Sequence, residues 1–100
     1  MRWNLVVIYT PQLDECRAFY EGLGLDLDVE WHGDGPVHYA AVLSDGSVFE
    51  LYPAEPGRET GAVRMGFTVG EGDGHGYAAG VHVVRDPDGR SVELRVTPAL

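Results

Sequence analysis

Two stretches decide the fold: Asp45-Gly46-Ser47-Val48-Phe49-Glu50-Leu51-Tyr52 and, 43 residues further on, Asp88-Gly89-Arg90-Ser91-Val92-Glu93-Leu94-Arg95. Asp, Gly, Glu and Leu recur at matching places. In both, an Asp-Gly turn leads into alternating apolar and polar residues, which is the signature of a hairpin feeding a strand. Alternation assigns faces. Val92, Leu94 and Val96 share one side of the last strand, with Ser91, Glu93 and Arg95 on the other. In its counterpart Phe49 and Leu51 oppose Val48, Glu50 and Tyr52.

Outward from the repeat, each half opens on an apolar strand, Leu5 to Thr10 and Arg64 to Val69. In the latter, Met65, Phe67 and Val69 oppose Arg64, Gly66 and Thr68. Thr10-Pro11 reads as the N-cap and first residue of a helix, with Asp14 and Glu15 in its first turns. Leu13, Cys16, Phe19, Tyr20 and Leu23 give that helix one apolar face, and Gly22 or Gly24 ends it. The remainder reads as strands at Leu27 to His32, Val37 to Leu43, Ser47 to Tyr52, Val81 to Arg85 and Ser91 to Val96. Residues 53–62 have linker composition. Gly70 to Gly80, with five glycines, reads as a flexible loop. Its GEGDGHG run lacks the Lys-Ser/Thr of a phosphate loop and opens no helix.

Composition bounds the function. With 100 residues, 7 basic against 16 acidic side chains give a formal charge of −9. Nucleic acid and anionic membranes would be repelled. No apolar run approaches the roughly 18 residues of a membrane span, and the N-terminal residues carry no signal-peptide pattern. One cysteine, Cys16, needs no oxidising compartment. A soluble cytoplasmic protein is expected.

Leu13 to Leu25 (LDECRAFYEGLGL), Phe49 to Tyr52 (FELY) and Asp86 to Arg95 (DPDGRSVELR) resemble the vicinal oxygen chelate superfamily. That superfamily includes glyoxalase I, extradiol dioxygenases, fosfomycin-resistance enzymes and bleomycin-resistance proteins. The resemblance implies an α+β fold, with two βαβββ modules forming a curled mixed sheet around a concave cavity. It places module one at residues 1–53, the linker at 54–62 and module two at 63–97, within one domain. Residues 70–80 are too few and too glycine-rich for the helix and strand the family has there, so module two is expected to lack its helix and one strand. Met65, Phe67, Val69, Val92, Leu94 and Val96 would then lose their cover, and a homodimer is expected to bury them.

In metal-dependent members of the superfamily, one position in the first strand and one in the last strand of each module hold the ion. These positions match Leu5, Glu50, Arg64 and Glu93. Leu5 cannot ligate, and Arg64 is a permanent cation. Two carboxylates alone make a poor transition-metal site. His32, His38, His75 and His82 show no His-x-His or His-x-x-x-His spacing. No metal or other cofactor is therefore expected.

Glu50, Arg64 and Glu93 read either as a salt-bridged polar core or as polar anchors of a ligand site. Tyr9 and Tyr52 share the face of Glu50, and Trp31 and Trp3 lie at strand ends. Aromatic rings over an acidic floor suit a flat or cationic molecule. His38 and His82 are further candidates for polar contacts. The leading expectation is non-catalytic binding of a small organic molecule, as in bleomycin-resistance-type proteins. The rivals are a divergent glyoxalase-like or dioxygenase-like metalloenzyme and a structural, partner-binding subunit.

Overall fold

The computed structural model describes residues 1–100. Strand β1 (Leu5–Thr10) is followed by helix α1 (Leu13–Leu23), then β2 (Asp28–Glu30), β3 (His38–Val42) and β4 (Val48–Pro53). Strands β5 (Met65–Gly70), β6 (Gly80–Arg85) and β7 (Ser91–Thr97) complete the chain. The result is mixed α+β: a four-stranded sheet in the order β1-β4-β3-β2 and a three-stranded sheet in the order β5-β7-β6. In each sheet the opening strand pairs parallel with the closing strand, and Glu50 and Glu93 hold equivalent places opposite Val7 and Gly66. The second sheet has no helix of its own and one strand fewer than the first.

The helix starts later than its sequence implied. Thr10 remains in β1, paired with Pro53, so it does not cap α1. Gln12 flanks the first turn and makes no side-chain cap. The Thr10 hydroxyl instead accepts from the Gln12 N–H and donates to Asp88. Gly24 ends the helix with φ +119°, a conformation that favours glycine.

Alternation places the core as expected. Phe49, Leu51, Val92 and Leu94 have no exposed surface. The expectation of an uncovered second sheet is overturned: Val92, Leu94 and Val96 are buried, and Met65, Phe67 and Val69 pack on the same cluster as Cys16, Tyr20 and Leu23. One helix serves both sheets. The Tyr20 ring lies 4.9 Å from that of Phe49 and 6.2 Å from that of Phe67, and the two phenylalanines are 5.7 Å apart. This face is therefore not available to a second copy.

The glycine-rich segment is a closed loop with defined partners. Asp73 accepts from the Gly70 N–H, His75 Nε2 bonds the Gly70 carbonyl, and Glu71 accepts from the Ala79 N–H. Tyr77 from this loop packs 5.0 Å from the His82 ring.

At the junction of the two halves, Asp86 and Arg90 are almost wholly buried, and their ion pair measures 2.9 Å. The Arg90 guanidinium also donates to Asp88 and to the carbonyls of Tyr9, Thr60 and Gly61. Asp86 accepts from the Tyr20 hydroxyl at 2.7 Å. The Asp86-Pro87-Asp88-Gly89 turn is thus also a charged tie between β1, the linker, α1 and the second sheet.

Candidate functional site

The face of the first sheet opposite α1 carries Leu5, Val7 and Tyr9 from β1 and Val48, Glu50 and Tyr52 from β4, by their register. Across the antiparallel pairings, Ala40 and then His38 and Glu30 continue that face. Strand alternation alone brings these groups together, since residues two apart point the same way.

His38 is the centre of the polar part. It is 2% exposed, its ring is stacked on Tyr52 at 4.0 Å, and its Nδ1 lies 3.1 Å from the Pro36 carbonyl. Its Nε2 lies 3.3 Å from Glu30, 3.4 Å from Glu50 and 3.2 Å from the Tyr52 hydroxyl. His32 Nε2 is 3.1 Å from the same Glu30 oxygen. The His32 hydrogen bond, followed by that of His38, outweighs desolvation and holds the Glu30 carboxyl below its ordinary range. Burial, then the Glu50 charge, pushes the Tyr52 hydroxyl up. Tyr9 stands beside Tyr52, with ring centroids 5.7 Å apart. Both line an opening of about 380 Å³ with Pro36, Glu55 and Arg58.

The expected Glu50–Arg64–Glu93 cluster does not assemble as a salt-bridged core. Glu50 pairs with His38, Glu93 with Arg95 at 3.5 Å, and Arg64 makes no ion pair. Arg64 and Glu93 instead line a shallow opening of about 240 Å³ with Ser91 and Val83. Trp31 is 70% exposed. His82 lies opposite Leu94 in register, on the helix side of the second sheet and away from the Glu93 face. It corresponds across the repeat to Tyr39, which likewise shares a face with Leu51.

A larger cleft runs along the seam where the edge strands β1 and β5 face each other without hydrogen bonding. It measures about 460 Å³, and its walls include Trp3, Val6, Val48, Met65 and Phe67, with Arg64 as its one charged lining group. Val7, the neighbour of Glu50 in register, also lines it. This cleft was not visible in the chain, because it arises from the missing pairing between two edge strands.

Glu30 is not among the residues expected at the site, and His32 is expected only as a histidine without ligand spacing. Glu30 ends β2 and His32 lies two residues beyond it, and their side chains meet at 3.1 Å; a Glu-x-His pattern carries no His–His spacing. The superfamily's metal quartet does not fit here. Leu5 offers no donor, and Arg64 supplies a fixed positive charge at the seam.

No curated protein matches. An antibiotic-binding protein (TnmS3) from a Streptomyces species superposes with a TM-score of 0.68 at 19% identity, over 97% of this chain and 96% of that one. The oxidase ChaP-H2 gives 0.63 at 15% identity over 94% and 91%. A lactoylglutathione lyase from Agrobacterium tumefaciens gives 0.58 at 18% identity over 95% and 92%. At these identities the likeness is one of fold, and the fold is shared by proteins of different activity. Residues 2–70 match the family model, and the chain belongs to the Glyoxalase/Bleomycin resistance protein/Dioxygenase superfamily.

Proposed function

We propose that this chain binds a small organic molecule without chemical turnover, in the manner of the antibiotic-sequestering members of its superfamily. The observation that carries the reading is the seam cleft of about 460 Å³, which is apolar and within the size range of small-molecule sites. Arg64 at its wall and the hydroxyl of Thr60 orient an acceptor or anionic group, while Trp3, Val6 and Phe67 take an apolar or aromatic body. Glu50 lies one strand over from Val7 and bounds the polar side. Tyr9, Tyr52 and His38 extend the binding face beyond it. The fold of an antibiotic-binding protein accommodates such a use.

A glyoxalase-like or dioxygenase-like enzyme working through the family quartet would need donors that Leu5 and Arg64 do not supply. A partner-binding subunit with a filled cavity is disfavoured by the open seam. Dimerisation belongs to the proposal on a new footing: a second copy would cover exposed Leu5, Val42, Val81 and Val83. Sedimentation equilibrium showing a monomer at roughly tens of micromolar would sink that part. The proposed compartment is the cytoplasm, where the free, buried Cys16 stays reduced.

The test is a ligand library scored by thermal shift. A ligand at 100 times its dissociation constant adds about 2.7 kcal/mol of stability. Arg64→Ala should remove the shift, and Glu50→Gln should reduce it. A shift unchanged in both variants would place the site elsewhere.

A further inference from the structure

We propose that Glu30, His32 and His38, with the Glu50 carboxylate beside His38, form a site for a divalent transition-metal ion of the zinc class. One donor atom from each of Glu30, His32 and His38 lies within 4.8 Å of the others. The three closest separations around the cluster are 3.1 Å (Glu30–His32), 3.3 Å (Glu30–His38) and 3.4 Å (His38–Glu50). Four donors placed tetrahedrally at zinc bond lengths stand about 3.3–3.4 Å apart. Glu30 thus stands at ligand spacing from both histidines, which lie within 4.8 Å of each other.

A second observation concerns orientation. Ligating histidines commonly donate the far ring N–H to a backbone carbonyl, which leaves the other nitrogen free to bind. His38 has this arrangement: Nδ1 faces the Pro36 carbonyl at 3.1 Å and Nε2 faces the two carboxylates. The ring is fixed by burial and by stacking on Tyr52.

A third is charge. Glu30 and Glu50 bring two negative charges, and their only ionic partners are histidines, with no lysine or arginine among them. A cation is what this cluster lacks. The mixture of imidazole and carboxylate selects zinc, cobalt or nickel over magnesium and calcium, which prefer all-oxygen shells. The exposed His32 and half-exposed Glu30 leave a path for entry above the buried His38.

Of the superfamily quartet positions this cluster touches only Glu50; Glu30, His32 and His38, on and beside β2 and β3, lie outside that quartet. None of its residues lines the seam cleft, though Glu50 and His38 border both sites; Arg64→Ala, which touches the seam and not the metal cluster, keeps failure of the metal site distinct from failure of the ligand-binding reading.

The experiment uses tag-free protein stripped with a chelator. It is titrated with zinc by calorimetry and with cobalt in the visible spectrum. The expected result is one equivalent bound, with the intense bands of four-coordinate cobalt. Glu30→Gln and His32→Ala, both on the accessible side, should each weaken binding by more than about 100-fold while far-UV circular dichroism stays unchanged. His38→Gln should do the same, with its folding checked in the same way. His82→Ala, on the opposite side of the other sheet, should leave binding intact. Absence of saturable micromolar binding, or binding that survives His32→Ala and Glu30→Gln, would overturn the assignment.

Discussion

Replacing Arg90 with methionine tests how the two halves are held together. The change keeps a flexible unbranched stem, shorter than that of arginine, and removes every hydrogen-bonding nitrogen from it. Asp86, which has no exposed side-chain surface, is then left without its cation. Asp88 and the carbonyls of Tyr9, Thr60 and Gly61 each lose a donor. Removing one partner of a buried ion pair costs about 3–5 kcal/mol, because the other charge remains buried and uncompensated. A domain of this size has about 5–15 kcal/mol in total. With a urea dependence near 1.5 kcal/mol per molar, the unfolding midpoint should fall by about 2–3 M. Equilibrium urea unfolding followed by circular dichroism measures this. The double variant Asp86→Asn/Arg90→Met should lose less than the sum of the two single variants, since the stranded charge has gone. A loss below about 1 kcal/mol for Arg90→Met, or strict additivity, would refute a buried pair that ties the halves together.

Acid should loosen the same tie. Burial raises the Asp88 carboxyl, but hydrogen bonds from Thr10 and Gln12 and the Arg90 charge outweigh it and hold the group below its ordinary range. A carboxyl depressed in the folded state stabilises above its unfolded value of about 3.9 and loses that contribution as pH falls through the folded value. Midpoints measured across this range should therefore drop below about pH 4, and Asp88→Asn should flatten the drop. Burial, then the nearby acidic groups against the Thr10 hydrogen bond, raises the Cys16 thiol. It should resist a thiol reagent at neutral pH and react fully in denaturant; equal rates in both would contradict its burial. Gly24→Ala forces a side chain onto a left-handed residue that ends α1, and should cost about 1–2 kcal/mol in a thermal melt.

Much of this molecule is legible in the chain because two local signals are strong. The Asp-Gly repeat announces β4 and β7, and alternation assigns Phe49, Leu51, Val92 and Leu94 to the core, all of them fully buried. The limits lie where residues distant in sequence meet. Nothing local says that Tyr20 reaches both Phe49 and Phe67, so the sequence alone leaves the second sheet without a cover. Nothing local says that Arg90 will find three carbonyls from β1 and the linker.

The site divides in the same way. Tyr9, Glu50, Tyr52 and His38 share a face because strand periodicity requires it. Arg64 and Glu93 were expected to meet Glu50 across a common cleft. The unpaired seam between β1 and β5 instead separates the two sheets, and each carboxylate keeps a local partner. Thr10 read as a cap by residue type, but a strand pairing that extends to Pro53 took precedence.

The seam as a ligand site is the claim on which the functional account rests. Its most direct test is to map, by amide chemical-shift changes in NMR, where a ligand found by thermal shift binds. The account predicts that the largest changes fall on Val6, Val7, Val48, Met65 and Phe67, and that they vanish in Arg64→Ala. Changes centred on the 70–80 loop and β6, with the seam residues unmoved, would contradict it.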